Sequence, residues 1–288
     1  MAGEHGVGMV DTVDLLIKVA KEIYSAVHPL LGTVDARKIV GSGFGGDKTR
    51  LIDAVSEKVA IEYLERNNFS CIFVGEECGV RRIGSSPNFY LIVDGVDGTN
   101  NAIKGIRFAS ASLALSRTGF LGDIEAAVVM DLYNGETFLA ERNSGAKRDG
   151  ETIKPSEIRC LKDSIISINI TKNTGAARRL LPIISRAKGI RSFGSAALEI
   201  CHVACGLLEA YIDLRGVLRT TDFAAGMLIL KEAGGIFLQP NGEEIPNVPL
   251  TEVKRFSIIA LANKELFHEI SSLIAPSTSL QGGQTTIC

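Results

Sequence analysis

The chain has no tryptophan and little that could build a classical metal or disulfide framework. Its six cysteines, at 71, 78, 160, 201, 205 and 288, form no CxxC pair, and no histidine stands at zinc spacing from them. A structural zinc site and a disulfide scaffold are thereby set aside, and the cysteines are expected to be reduced and mostly buried. Excess charge is missing too: a net charge of −2 and a pI near 6.1 leave no global field to attract nucleic acid or an anionic membrane. An anionic small molecule must therefore be met by local charges or by metal ions. The start, Met1 to Gly6, lacks a basic segment followed by an apolar one, and no apolar run approaches the ~18 residues of a membrane span. A cytoplasmic protein with no membrane or nucleic-acid partner is expected.

What is present is apolar content of 45% over 288 residues, enough for a large core. Residues 10–30 place Val13, Leu16, Ile17, Ala20, Ile23, Tyr24 and Val27 at helical spacing, with Asp11 or Thr12 as cap. A second helix is expected to turn Leu51, Ile52, Val55, Val59 and Tyr63 inward. Strand-type runs follow at 71–74, 89–93, 109–116, 124–132 and 137–141, and Asn134-Gly135 and Asp149-Gly150 mark hairpin turns. From about residue 164 helices and strands alternate more regularly. The pattern reads as layered α/β, divided into residues 1–150, residues 151–275 and a polar tail at 276–288 expected to be disordered.

Between the first two helices lies Gly41-Ser42-Gly43-Phe44-Gly45-Gly46. As G-x-G-x-x-G it lacks a framing βαβ unit, and as a P-loop it has Asp47 where the lysine should stand. A loop delivering Asp47 fits better than a nucleotide cradle, with a plain surface loop as the bland reading.

The chemistry concentrates where apolar strands stop at carboxylates. Leu91-Ile92-Val93 runs into Asp94-Gly95-Val96-Asp97-Gly98-Thr99-Asn100, and Cys71 to Val74 runs into Gly75-Glu76-Glu77. Either stretch alone could be a solvated strand end, and Asp222 could be no more than a helix N-cap. Taken together, Asp47, Glu76, Asp94, Asp97 and Asp222 make an all-oxygen donor set that suits Mg²⁺ or Mn²⁺, and their number suits two or three ions. Paired ions are a usual device for phosphoryl displacement.

Four ordered motifs, Gly75-Glu76-Glu77, Asp94-Gly-Val-Asp97-Gly-Thr99, Arg191-Ser-Phe-Gly194-Ser-Ala196-Ala and Thr221-Asp222-Phe-Ala-Ala-Gly226, resemble those of the inositol monophosphatase family. The run from Asp213-Leu-Arg215 through Arg219 to Asp222, with Asn101-Ala102, resembles the archaeal-type branch that acts on inositol phosphate and fructose 1,6-bisphosphate. The resemblance implies an αβαβα sandwich, a Mg²⁺-dependent phosphomonoesterase and a homodimer. It implies Glu76, Asp94, the Val96 carbonyl, Asp97 and Asp222 as metal ligands, and Asp47 and Thr99, with Glu76, as the group that prepares the attacking water. Gly98 and Thr99 would hold phosphate through backbone N–H groups, while Asp97, Arg191, Ala196, Asp213 and Arg215 would line the rest of the substrate site. Two positions depart from the pattern: Gly95 stands for the usual proline, which should loosen the turn slightly, and Thr221 for a frequent tryptophan. A nucleotide phosphatase of the same fold, such as one acting on 3′-phosphoadenosine 5′-phosphate, a nucleotide-binding protein using Gly41–Gly46, and a silent relative are the alternatives.

Overall fold

The computed structural model describes residues 12–44, 46 and 48–274. The cap at Asp11, the tail at 276–288 and Asp47 lie outside the described residues. Helix α1 (Thr12–Val27) is followed by a two-stranded antiparallel ribbon, β1 (Ile39–Ser42) and β2 (Lys48–Arg50), and then by α2 (Leu51–Arg66). The glycine loop therefore turns back on its own strand and opens no helix, which removes the geometry that a P-loop or dinucleotide fingerprint requires.

The next strands are β3 (Cys71–Gly75), β4 (Gly79–Ile83) and β5 (Tyr90–Asp97). After the short helix α3 (Thr99–Lys104) come β6 (Ser110–Ser116), β7 (Ile124–Asp131), β8 (Thr137–Glu141), β9 (Ala146–Arg148) and β10 (Glu151–Thr152). They form a sheet in the order β10-β9-β8-β7-β6-β5-β3-β4, antiparallel except where β3 lies parallel to β5. The rest of the chain supplies β11 (Ile165–Asn169), α4 (Thr174–Ile184), β12 (Gly189–Arg191), α5 (Ala196–Ala204), β13 (Ala210–Arg219), α6 (Thr220–Ala233), β14 (Ile236–Leu238), β15 (Arg255–Leu261) and α7 (Lys264–Ile274). Its strands make a second sheet, β12-β11-β13-β15-β14.

Three apolar clusters explain the layering. Leu16, Val19 and Ile23 of α1 and Ile52 and Leu64 of α2 pack on Phe73, Leu91 and Leu113 of the large sheet. On the opposite face, Ala197 and Ile200 of α5 and Phe223 and Leu230 of α6 fill the space between Ile92 and Val129 of the large sheet and Tyr211 and Ile258 of the small one. Leu180 of α4 and Leu266 and Ile270 of α7 cover the outer face of the small sheet around Ile166 and Ile212. The result is the expected αβαβα sandwich. Buried apolar surface of this extent is the main stabilising term, at roughly 25 cal/mol per Å² removed from water.

Three local expectations change. On α2 the buried residues are Ile52, as expected, with Asp53, Ser56, Glu57, Ala60, Ile61 and Leu64, while Val59 and Tyr63 pack at the core margin and Leu51 and Val55 are only half-buried. Its apolar periodicity misleads because polar side chains occupy core positions in its first half. Asp222 is the third residue of α6, and Arg219 is the residue that precedes the helix. Among the described cysteines, Cys71 and Cys201 are buried, Cys160 and Cys205 intermediate and Cys78 exposed, all as free thiols. No helix among the described residues is long and apolar enough to cross a membrane.

Candidate functional site

The site lies where the ends of β3 and β5 meet the start of α6. Parallel pairing sets Gly75 beside Val93, so the next residues, Glu76 and Asp94, emerge side by side. Asp222 reaches them from the first turn of α6. One carboxylate oxygen from each of Glu76, Asp94 and Asp222 lies within 4.8 Å of the others. The donor set is hard, anionic and largely buried, and its chemistry fits a divalent cation.

Burial, reinforced by mutual repulsion, disfavours the charged forms. Burial first and Asp222 second lift Glu76 to about 8, while burial and then Glu76 push Asp94 well above the carboxylate range. Asp222 is raised by burial, against the opposing pull of Arg219. Desolvation thus raises all three carboxyls together, and the closeness of like charges adds to it at Glu76 and Asp94.

Asp97 stands beside these three and joins the layers. Its Oδ2 accepts hydrogen bonds from Ser195 Oγ and from the Ala197 backbone N–H, both at 2.7 Å, so β5 of the large sheet is tied to the start of α5. Burial raises it to about 7 against those two bonds. The β5–β6 register shifts between Asp94, opposite Ser112, and Asp97, opposite Ser110, so a bulge at Gly95-Val96 separates the two carboxylates. Gly95 is required here rather than merely tolerated: a Cβ would meet Ser56 Oγ at 2.0 Å and Ser56 Cβ at 2.5 Å. The glycine thus makes room for α2, where a looser turn had been expected.

Gly98 adopts φ +93°, and a Cβ there would lie 3.0 Å from the Gly194 carbonyl and 3.1 Å from that of Phe108. Thr99 follows as the first residue of α3. Its hydroxyl is 2.9 Å from Asp53 Oδ1 and 3.0 Å from the Val96 carbonyl oxygen. Asp53, on the buried face of α2, is raised to about 7 by burial, opposed by its bond to Thr99. A hydroxyl has one proton, so Thr99 can donate to Val96 while accepting from protonated Asp53, or donate to ionised Asp53. Apolar periodicity hid Asp53; the signal that could have found it was a carboxylate at core phase.

The substrate-side residues divide. Ala196 begins α5, and Arg191 is exposed at the end of β12, its Nη1 donating to the Ile190 carbonyl at 3.0 Å. Residues 193–194 are held by Glu199, which accepts from the Phe193 N–H at 3.1 Å and the Gly194 N–H at 3.3 Å. Asn101 Nδ2 donates to the Phe193 carbonyl at 2.6 Å, which sets this loop beside α3. Asp213 is fully buried and receives Arg215 in a two-pronged pair, Nε to Oδ1 at 3.0 Å and Nη2 to Oδ2 at 2.6 Å. The Asp213 carboxylate is thus turned to Arg215. Glu77, next to Glu76, points away and accepts from Thr49 Oγ1 at the ribbon. Glu57 secures the turn between them by accepting from the Glu77 and Cys78 N–H groups at 2.8 Å each.

Residues 11–277 match the Inositol monophosphatase family. A bifunctional NADP phosphatase/NAD kinase of Methanococcus maripaludis is 36% identical over 282 residues, covering 90% of this chain and 48% of that protein, so the chain spans about half its length. A fructose-1,6-bisphosphatase/inositol-1-monophosphatase of Methanothermobacter thermautotrophicus is 34% identical over 263 residues, covering 88% and 93%. A crystal structure of an inositol monophosphatase-fructose 1,6 bisphosphatase superposes with a TM-score of 0.79 at 29% identity, covering 90% of this chain and 98% of the other. The Thermotoga maritima inositol monophosphatase gives 0.76 at 26% identity, covering 92% and 96%. The chain belongs to the inositol monophosphatase family.

Proposed function

We propose that this chain is a Mg²⁺-dependent phosphomonoesterase that hydrolyses inositol monophosphate, fructose 1,6-bisphosphate or both. The observation that carries the reading is the convergence of Glu76, Asp94 and Asp222 within 4.8 Å, next to Asp97 and Thr99. Glu76, Asp94, Asp97 and Asp222, with the Val96 carbonyl, would hold two or three Mg²⁺ ions, with Mn²⁺ as a substitute. When bound, such ions supply Lewis-acid neutralisation of the phosphoryl oxygens and acidify a water near neutral pH.

The chain's own groups do the rest. Backbone N–H groups of Gly98 and Thr99, at the start of α3, orient the phosphate. Thr99 accepts the proton of the attacking water and passes its own to Asp53, whose value near 7 suits a base at neutral pH. Water oxygen bonds to phosphorus as the ester P–O bond breaks, the departing alkoxide takes a proton from solvent water to leave as the alcohol, and Asp53 releases its captured proton to solvent. We assign to Asp53 the part that the family resemblance implies for Asp47. Arg191, Ala196 and Arg215 face the remainder of the substrate, with Asp213 fixing Arg215. This reading includes a cytoplasmic homodimer, which fractionation and light scattering test.

The NADP phosphatase/NAD kinase relative favours a second reading, hydrolysis of a nucleotide phosphate such as the 2′-phosphate of NADP. A phosphate-release panel over inositol 1-phosphate, fructose 1,6-bisphosphate, 3′-phosphoadenosine 5′-phosphate and NADP, with and without Mg²⁺, separates the two. Asp97→Asn should remove nearly all release on the preferred substrate; near wild-type turnover in that variant defeats the proposal.

A further inference from the structure

Arg219 immediately precedes α6, and only 14% of its side chain is exposed. Its guanidinium is ion-paired with Glu76 Oε1, and its Nε lies 3.8 Å from Asp222 Oδ1. Its backbone N–H also donates to Asp222 Oδ2 at 2.9 Å at the helix start. A permanent positive charge thus rests on two of the three carboxylates that converge at the site. Arg255 adds a weaker pull on Asp222.

We propose that Arg219 is a built-in counter-cation: it holds the carboxylates together when no metal is bound and competes with a divalent ion for Glu76 and Asp222. The inference rests on the metal-centre reading above. Three carboxylates this close repel one another, which works against holding the ends of β3 and β5 and the start of α6 together without a cation. A guanidinium cannot lose its proton, so its charge persists when a metal ion arrives. Arg219 therefore keeps the site assembled while holding metal affinity down, which leaves the ions exchangeable. A role limited to orienting Glu76 makes the opposite forecast, since loss of Arg219 would then weaken metal binding.

The test is calorimetric titration of the full chain with Mn²⁺, comparing wild type, Arg219→Gln and Arg219→Lys, together with thermal melting of each with and without Mn²⁺. Glutamine keeps a donor for Glu76 and removes the charge, whereas lysine keeps the charge. Arg219→Gln should bind Mn²⁺ on the order of tenfold more tightly, the size of a screened unit charge at this range. Arg219→Lys should stay within about threefold of wild type on the same reasoning. The glutamine variant should melt lower without metal and recover at saturating Mn²⁺. Arg219→Met, which retains the buried stem, replaces it if it does not fold. Unchanged or weaker Mn²⁺ binding by the folded neutral variant, with wild type binding normally, overturns this inference alone. Failure of wild type to bind Mn²⁺ overturns the metal-centre reading and this inference with it.

Discussion

Asp53 Oδ1 lies 2.9 Å from Thr99 Oγ1 although 46 positions separate the two residues. This contact joins the buried face of α2 to the first residue of α3 and sets a carboxylate with a value near 7 beside the turn that carries Asp94 and Asp97. Asp53→Asn should lower kcat by about 10²- to 10⁴-fold, the range for a general base, with a much smaller change in KM. Thr99→Val should give a similar loss, and the double variant should be little worse than either single one. A larger effect from Asp47→Asn than from Asp53→Asn would return the role to Asp47.

The raised carboxyls couple metal binding to pH. Glu76 near 8 and Asp97 near 7 bind protons more tightly in the folded chain than in the unfolded one. Their contribution to metal-free stability therefore declines as pH rises from about 4, through 7, to about 8. Metal binding needs the deprotonated forms, so it should release protons, and the stabilisation it provides should grow over the same range. Melting curves from pH 6 to 8.5 with and without Mg²⁺, and calorimetry in buffers of different ionisation enthalpy, check both signs.

Gly95 and Ser56 should behave as a coupled pair. Gly95→Ala drives a Cβ to within 2.0 Å of Ser56 Oγ and should cost about 1–3 kcal/mol, the usual range for overpacking. Ser56→Gly in the same chain should recover most of that cost, which a double-mutant cycle of denaturant unfolding measures. Additive losses would show that the turn, rather than the packing of α2, sets the requirement.

Arg215 tests the substrate side. Its guanidinium is held in one orientation by buried Asp213, and a planar fork suits a second phosphate better than a neutral ring. Arg215→Met should raise KM for fructose 1,6-bisphosphate about tenfold or more, the scale of a charge-assisted pair, with a smaller change for inositol 1-phosphate. Asp213→Asn should shift KM in the same direction by freeing Arg215. Equal effects on both substrates would remove Arg215 from the selection of a second phosphate.

By itself the sequence determined the layer types, the turns at Asn134-Gly135 and Asp149-Gly150, and the carboxylates at the ends of β3 and β5. Each of these follows from local rules: alternation, glycine-bearing turns, and charge abruptly ending an apolar strand. Tertiary structure decided which distant groups meet. Parallel pairing of β3 with β5 set Glu76 beside Asp94, and α6 brought in Asp222 at its third position rather than as its N-cap residue. The same packing turned Asp53, Ser56 and Glu57 inward against a periodicity that pointed elsewhere and laid Arg219 on the distant Glu76. None of these is local, because a buried charge takes its position from the partner that compensates it, and that partner stands elsewhere in the chain.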